Sequence, residues 1–276
     1  MQKNISLKEK NTFRIGGLAK YYAEVNSKEE FLKVFKEAKE LDIPVFVMGG
    51  GSNLLVSDNG FNGLVIKLNF KEIVAHSSLL KVDAGAELRD LVFKAKDLNL
   101  SGIEWAVGIP GTVGGAIFGN AGVPDHSISD LIEEIEVFNN GEVKIFNKED
   151  SLFSYRESIF KKNTNLIILS AKFKFGPGEN IEEKMKEYLL KRKNIKGYSA
   201  GSIFKNPEGY SAGKLIEECG LKGKRIGDAM ISNEHANWII NLGEATSKDV
   251  EKLIVLIKEE VKKRFSIDLI EEIRRL

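Results

Sequence analysis

The sequence holds a single cysteine, Cys219, so no disulfide framework exists. Its three histidines, His76, His126 and His235, are scattered, and no Cys/His spacing resembles a metal site. No metal is expected, and any redox chemistry must come from an organic cofactor. No apolar run is long enough to span a bilayer, and the N-terminal Met1-Gln2-Lys3-Asn4-Ile5 has no apolar signal core. A cytoplasmic protein without membrane attachment is expected. The formal net charge is only +1, which excludes a global field that would draw nucleic acid or anionic membrane. Lys191-Arg192-Lys193 falls on a predicted helix and reads as a solvated face. Lys222-Gly223-Lys224-Arg225 lies in a glycine-containing turn and is the better candidate for a phosphate. G-x-x-x-x-G-K-[ST] is absent, as is G-x-G-x-x-G opening a helix, so neither a P-loop nor a Rossmann reading holds. No G-x-S-x-G elbow with a Ser/His/Asp order appears, which argues against a serine hydrolase.

Glycine is concentrated where it is present. Gly108-Ile109-Pro110-Gly111-Thr112-Val113-Gly114-Gly115-Ala116-Ile117-Phe118-Gly119-Asn120-Ala121-Gly122 places six glycines in fifteen residues. Glycine admits positive φ and lets a backbone come close to another group. So dense a run exposes many N–H groups and few side chains. That suits an extended anionic cofactor better than a core, although a loop without a ligand is the plainer reading. Val45-Phe46-Val47-Met48 reads as a buried strand and runs straight into Gly49-Gly50-Gly51-Ser52-Asn53. Two glycine-dense loops, one directly after a strand, suggest a ligand carrying a pyrophosphate.

The 276 residues, 42% hydrophobic and 29% charged, are enough for two soluble domains. Ser27-Lys28-Glu29-Glu30 reads as a capping box before Phe31, Leu32, Val34, Phe35, Ala38 and Leu41 at helical spacing. Leu64–Leu68 and Leu79–Val82 read as strands; Leu88, Leu91, Val92, Ala95 and Leu98 mark a second helix. Asn139-Asn140-Gly141 between Ile135–Phe138 and Val143–Phe146 is a hairpin signal. Leu166–Phe175 reads as a further strand, and Gly176-Pro177-Gly178 as a boundary. Beyond it come a helix over about Ile181–Asn194 and a short helix ended by Gly220, with Cys219 in the core. Strands follow near Ile226–Ile231 and Trp238–Ile240. A long amphipathic helix then carries Val250, Leu253, Ile254, Ile257 and Val261 on one face. The architecture is α+β.

Polar residues in unusual settings cluster late: Tyr155-Arg156-Glu157-Ser158, Ser199-Ala200-Gly201-Ser202-Ile203-Phe204-Lys205-Asn206-Pro207, and Glu271-Glu272-Ile273-Arg274-Arg275. Each alone has an ordinary structural reading: a surface arginine, a turn, a solvated ion-pair face.

Together, seven segments resemble one family across nearly the whole chain. They are Asn11-Thr12-Phe13-Arg14-Ile15-Gly16-Gly17; Gly49-Gly50-Gly51-Ser52-Asn53-Leu54-Leu55; Gly108 to Gly115; Ser154-Tyr155-Arg156; Ala200 to Pro207; Leu221 to Asn241; and Glu272-Ile273-Arg274. In this order they look like the UDP-N-acetylenolpyruvoylglucosamine reductases. The resemblance implies an FAD-binding domain of the vanillyl-alcohol-oxidase/PCMH type with two subdomains over residues 1–177. A smaller α+β substrate-binding domain would cover residues 178–276. It implies non-covalent FAD, NADPH as co-substrate, and a ping-pong reduction of a UDP-sugar enolpyruvyl ether to UDP-N-acetylmuramic acid for peptidoglycan. Arg156, Ser202 and Glu272 would be catalytic. Ser202 would protonate C2, and Arg156 and Glu272 would stabilise the enolate. Ser199 shares that loop, but the family's motif places the acid after the glycine. Gly49, Gly50, Gly51, Ser52, Asn53 and Leu54 would hold FAD, as would Ile109, Pro110, Gly111, Thr112, Gly114, Gly115, Ala116, Asn120, Gly122 and Arg225. Asn206, Lys222 and His235 would bind the UDP-sugar. The 46 positions between Arg156 and Ser202 match the shorter form of the family, without the insertion that longer members carry. No large apolar surface stripe is evident, which points to a monomer. The rival readings are another flavoprotein oxidase of the superfamily and a non-catalytic nucleotide-sugar binder.

Overall fold

The computed structural model describes residues 1–192 and 195–276. Lys193 and Asn194 lie outside the described residues, and with them the last residue of the basic cluster and the end of the helix expected to reach Asn194. Strand β1 (Gln2–Ser6) pairs antiparallel with β2 (Leu18–Val25), Gln2 opposite Tyr22. Helix α1 (Lys28–Glu40) buries Phe31, Val34 and Ala38, as the spacing predicts. Its capping box is only half formed. Ser27 Oγ accepts the Glu30 N–H at 3.1 Å, while the Glu30 carboxylate takes the N–H of Asn26 at 2.7 Å.

Then come β3 (Val45–Met48), β4 (Leu54–Leu55), β5 (Phe61–Leu68), β6 (Ile73–His76), β7 (Leu79–Asp83), α2 (Leu88–Asp97), β8 (Leu100–Ser101) and a 3₁₀ turn over Glu104–Ala106. The second glycine run is not loop throughout, because Val113–Phe118 form a helix, α3. Glycine disfavours helix interiors, so the sequence masks it. Thr112 caps it, its Oγ1 accepting from the Gly115 N–H at 3.3 Å. Packing supplies the rest: a Cβ on Gly114 would lie 2.8 Å from the Ala84 Cβ.

Strands β9 (Gly122–Val123) and β10 (His126–Ser127) pair, and β11 (Ile132–Asn139) and β12 (Glu142–Phe146) form the expected hairpin. Its turn holds Asn140 at φ 49° and Gly141 at φ 103°, the left-handed conformation their residue types favour. The remaining elements are α4 (Ile159–Lys162), β13 (Leu166–Lys174), β14 (Gly176–Pro177), α5 (Ile181–Lys191), α6 (Ala212–Glu218), β15 (Arg225–Ile226), β16 (Ala229–Ile231), β17 (Ile239–Asn241), α7 (Ser247–Phe265) and β18 (Arg274–Arg275). Cys219 is the half-buried C-cap of α6 rather than a core residue. Among the described residues no helix is long and apolar enough to cross a membrane.

The chain forms two compact units that interleave in sequence. The first holds Met1–Tyr22, Gly51–Leu64 and Lys193–Leu276; the second holds Ala23–Gly50 and Val65–Arg192. Strands β2 and β5 carry residues of both. Gly176-Pro177-Gly178 lies inside the second unit, where Gly176 and Pro177 pair with Ser101 and Leu100. A turn-forming triplet ends a strand without separating two cores.

The second unit is built on an antiparallel sheet in the order β12-β11-β13-β7-β6. Helices α3 and α4 pack on β13, and α5 packs on the Glu104–Ala106 turn. Phe31 and Phe35 meet Phe138 edge-on, at 5.2 and 4.8 Å between ring centroids. In the first unit the sheet β15-β16-β17 supports α7, whose Val250, Leu253, Ile254, Ile257 and Val261 are all buried. Phe13, Ile15, Leu55, Ile203 and Phe204 join the same core.

Candidate active site

In the second unit the two glycine segments meet backbone to backbone. A Cβ on Gly50 would lie 3.1 Å from the Gly111 Cα, and one on Gly49 would collide with Thr112 Oγ1. Gly49 and Gly50 are therefore needed for packing, since neither adopts a positive φ. The second segment is pinned to the β7–α2 connection. Leu88 N–H donates to the Gly111 carbonyl at 2.9 Å, Val113 N–H to Ala86 at 2.8 Å, and Gly114 N–H to Ala84 at 2.9 Å.

Arg192, read as part of a solvated face, turns inward instead. Its Nε donates to the Val107 carbonyl at 2.7 Å and its Nη2 to the Trp105 carbonyl at 2.9 Å. Burial pushes its pKa down. It thus caps the 3₁₀ turn that delivers the chain to Gly108-Ile109-Pro110-Gly111. At the other end of that turn, Glu104 accepts the Gly102 N–H at 2.7 Å.

Arg156 sits at the tip of a tight turn closed by reciprocal backbone bonds between Ser154 and Glu157 at 3.1 and 3.0 Å. Its φ is 56°, an uncommon conformation for a residue with a side chain. Its Nη1 donates to the Asn120 carbonyl at 3.3 Å and its Nη2 to the Gly122 carbonyl at 2.6 Å. Two contacts to backbone fix the plane of the guanidinium. Asn120, expected at the cofactor, also holds structure, because its buried carboxamide donates to the Ser154 carbonyl at 2.8 Å. A cavity of about 890 Å³ in this unit, lined by Lys28, Lys71, Lys81, Asp83 and Lys172 among others, contains none of the expected site residues.

The first unit brings Ser202 and Glu272 together. Glu272 N–H donates to the carbonyl of Ile203, the residue after Ser202, at 2.8 Å. Lys205 N–H donates to Ile270 at 2.9 Å, so residues 203–205 run beside the C-terminal segment. That segment continues into β18, which pairs parallel with β4, Arg274 opposite Leu54. Asn53 Nδ2 donates to the Glu272 carbonyl at 3.2 Å, and Arg274 N–H donates to the Asn53 carbonyl at 3.0 Å. One hydrogen-bonded run therefore links the end of the first glycine loop, through Glu272, to the Ser202 loop. Gly51, at φ 68°, packs against Lys10 and Asn11. Thr12 donates its N–H to the Gly51 carbonyl at 3.2 Å and its hydroxyl to the Ser199 carbonyl at 2.7 Å. Ser199 is thus used through its carbonyl.

Glu271 is pushed up by burial but held below the ordinary range by hydrogen bonds from Lys258 at 2.6 Å and Arg275 at 2.9 Å. Arg274 is desolvated, which lowers its pKa to about 10.

The expected UDP-sugar residues lie near α6. Asn206 Oδ1 accepts the Ala212 N–H at 3.0 Å, Lys222 pairs with Glu217 at 2.6 Å, and a Cβ on Gly213 would lie 2.8 Å from His235 Cε1. Arg225 is engaged in its own hairpin, donating to the Gly227 carbonyl at 2.6 Å and pairing with Asp228. Sequence reasoning missed the roles of Arg192 and Thr12. Each works on backbone groups, which leave no side-chain pattern to detect.

Comparison with known proteins bears on the whole chain. Residues 19–146, which contain both glycine segments, match the family described as FAD binding domain. Residues 193–276, which contain Ser202 and Glu272, match the UDP-N-acetylenolpyruvoylglucosamine reductase C-terminal domain. The UDP-N-acetylenolpyruvoylglucosamine reductase of Clostridium botulinum (strain Eklund 17B / Type B) is 42% identical over 281 residues, 99% of this chain and 92% of that protein. The protein of that name from Prochlorococcus marinus (strain NATL2A) is 41% identical over 284 residues, 100% of this chain and 97% of its own. The crystal structure of UDP-N-acetylenolpyruvylglucosamine reductase from Thermus caldophilus superposes with a TM-score of 0.86 at 37% identity, covering 99% of this chain and 98% of that one. With α+β architecture, an FAD-binding domain and end-to-end similarity of this kind, the chain belongs to the UDP-N-acetylenolpyruvoylglucosamine reductase family, FAD-containing oxidoreductases of peptidoglycan precursor synthesis.

Proposed function

We propose that this chain reduces the enolpyruvyl ether of UDP-N-acetylglucosamine to UDP-N-acetylmuramic acid with NADPH, in the cytoplasm and as a monomer. The observation that carries the reading is the 2.8 Å bond from Glu272 N–H to the Ile203 carbonyl, which sets the expected acid and the expected carboxylate on adjacent segments. FAD fits the glycine segments: their packing at Gly49, Gly50 and Gly114 holds the two runs together, and a run of glycines leaves few side chains between its backbone N–H groups and an extended diphosphate. Gly49 to Leu54 and Ile109 to Gly122 would hold it through backbone N–H groups without a covalent tether, with Arg225 a candidate for a phosphate. We assign FAD binding to residues 1–177 and substrate binding to residues 178–276, a functional division that does not follow the two compact units. When bound, FAD would supply the hydride-transfer chemistry between NADPH and the substrate.

The residues of the chain do the rest. Hydride addition at C3 builds negative charge on C2 and the adjoining carboxylate. Arg156, its plane fixed by the Asn120 and Gly122 carbonyls, grips that carboxylate and stabilises the growing charge. Ser202 gives its hydroxyl proton to C2. The enolate is basic enough for an ordinary hydroxyl to serve, provided the hydroxyl is in reach. Glu272 acts on the same carboxylate, as a hydrogen-bond donor or by polarising the reacting group. Asn206, Lys222 and His235 hold the UDP-sugar.

The test is an anaerobic titration of the flavin absorption band. NADPH should bleach it, and the enolpyruvyl ether should restore it. A band that bleaches and is not restored by the sugar overturns the substrate assignment. Absence of any band after reconstitution with FAD overturns the cofactor site.

A further inference from the structure

Ser202 is preceded by Gly201 at φ 78°, a glycine around which a Cβ would meet nothing within 4 Å. Ser202 itself bridges to Trp238, the residue after Asn237, and the residues that follow it are held in turn. Ile203 and Phe204 are fully buried, and one side chain holds the backbone of Phe204. Asn237 Oδ1 accepts the Phe204 N–H at 3.0 Å, and Asn237 Nδ2 donates to the Phe204 carbonyl at 2.8 Å. The Asn237 carbonyl also accepts the Ile203 N–H at 2.9 Å. A carboxamide offers one acceptor and one donor in a plane, which matches the N–H and C=O of a single extended residue. Asn237 thereby stands in for a neighbouring strand. On the opposite side, the Ile203 carbonyl receives the Glu272 N–H. Asn237 is itself anchored, its N–H donating to His235 Nδ1 at 3.2 Å, and it is 4% exposed.

Resting on the function proposed above, we infer that Asn237 is a positioning residue for proton transfer. It fixes the register of Ile203-Phe204 and so holds the Ser202 hydroxyl where C2 is protonated. It touches neither flavin nor substrate, and its effect belongs to one half-reaction. Asn241 is the natural control. It is equally buried and also clamps backbone, donating to the Phe13 carbonyl at 3.0 Å and accepting from Gly243 and Ala245 at 2.8 and 2.9 Å. None of its partners adjoins Ser202.

The experiment compares Asn237→Asp and Asn241→Asp holoenzymes with wild type by anaerobic stopped flow. Asn237→Asp keeps the acceptor for the Phe204 N–H and sets a carboxylate oxygen against the Phe204 carbonyl. Flavin reduction by NADPH should stay within about twofold of wild type, since a displacement near 1 Å acts only on the step it misaligns. Reoxidation by the enolpyruvyl ether should slow by about 10²-fold, with a larger solvent deuterium isotope effect. Asn241→Asp should lower the melting temperature without separating the two half-reactions. If Asn237→Asp does not fold with flavin bound, Asn237→Ser replaces it, with the same split expected. Equal slowing of both half-reactions, or an unchanged isotope effect, overturns the positioning role. A wild-type flavin that the enolpyruvyl ether fails to reoxidise overturns the function itself, and the two failures are read from different proteins.

Discussion

Arg192 donates to the Val107 carbonyl at 2.7 Å and so ties the residue after α5 to the root of the second glycine run. A guanidinium that reaches two carbonyls fixes both their direction and their spacing, which an ammonium does not. Arg192→Ala should destabilise the protein by about 2 kcal/mol, in the range for hydrogen bonds to a charged group, and weaken FAD retention on dialysis. Arg192→Lys should fall between. Wild-type flavin retention in Arg192→Ala would mean that the turn holds the loop unaided.

Gly49 and Thr112 can be tested as a pair. A Cβ at Gly49 has no room beside Thr112 Oγ1. Gly49→Ala should separate the glycine segments and cost about 1–3 kcal/mol, as overpacking does. Thr112→Ala alone should cost about 1 kcal/mol through loss of the α3 cap. The double variant should be more stable than the sum of the two losses, because the second change removes the clash made by the first. Strict additivity in denaturant unfolding would refute the contact.

Ser202→Ala should leave bleaching by NADPH intact and slow reoxidation by the enolpyruvyl ether about 10³-fold, within the range for loss of a general acid. Ser199→Ala should change neither, because Thr12 uses the Ser199 carbonyl and not its hydroxyl. Rapid-reaction traces of the two variants side by side decide between the two serines.

Glu136 gives a pH prediction. Burial pushes its pKa up, but Lys28, at 2.7 Å to both carboxylate oxygens, and Ser170, at 2.8 Å, bring it below the ordinary value of 4.5, with Lys81 adding its charge. A carboxylate with a depressed folded pKa contributes stability above pH 4.5, lost as pH falls through the folded value. Glu136→Gln should cost about 2 kcal/mol at neutral pH and flatten the acid limb of the stability curve. Asp83 has the opposite sign, since burial raises its pKa above 3.8. A steep acid limb surviving in Glu136→Gln would assign that limb to other groups.

Much of the scaffold was legible locally. The stripe Val250, Leu253, Ile254, Ile257, Val261 and the turn Asn139-Asn140-Gly141 are short-range signals, and both elements form where they point. The glycine runs were legible as sites of close approach. Helix α3 was not, because its stability comes from the Thr112 cap and from packing on Ala84, which outweigh the poor propensity of Gly114 and Gly115. Arg192 looked like its two basic neighbours; its partners are carbonyls far away in sequence. The interleaved units were hidden for the same reason, since the parallel pairing of Arg274 with Leu54 has no counterpart in local composition.

That pairing also bears on how the protein assembles. Asn53 meets Glu272 across 219 positions and Thr12 meets Ser199 across 187, so the unit with the acid and the carboxylate is closed by contacts of very high sequence separation. Loop-closure entropy opposes such contacts, and they form late. A nascent chain on the ribosome can therefore complete the β11–β12 hairpin early, while Glu272 finds its place beside Ile203 only after residues 272–276 have emerged. The proposed acid and carboxylate would then come together late, and a partly emerged chain would carry its glycine segments without the chemistry proposed for them.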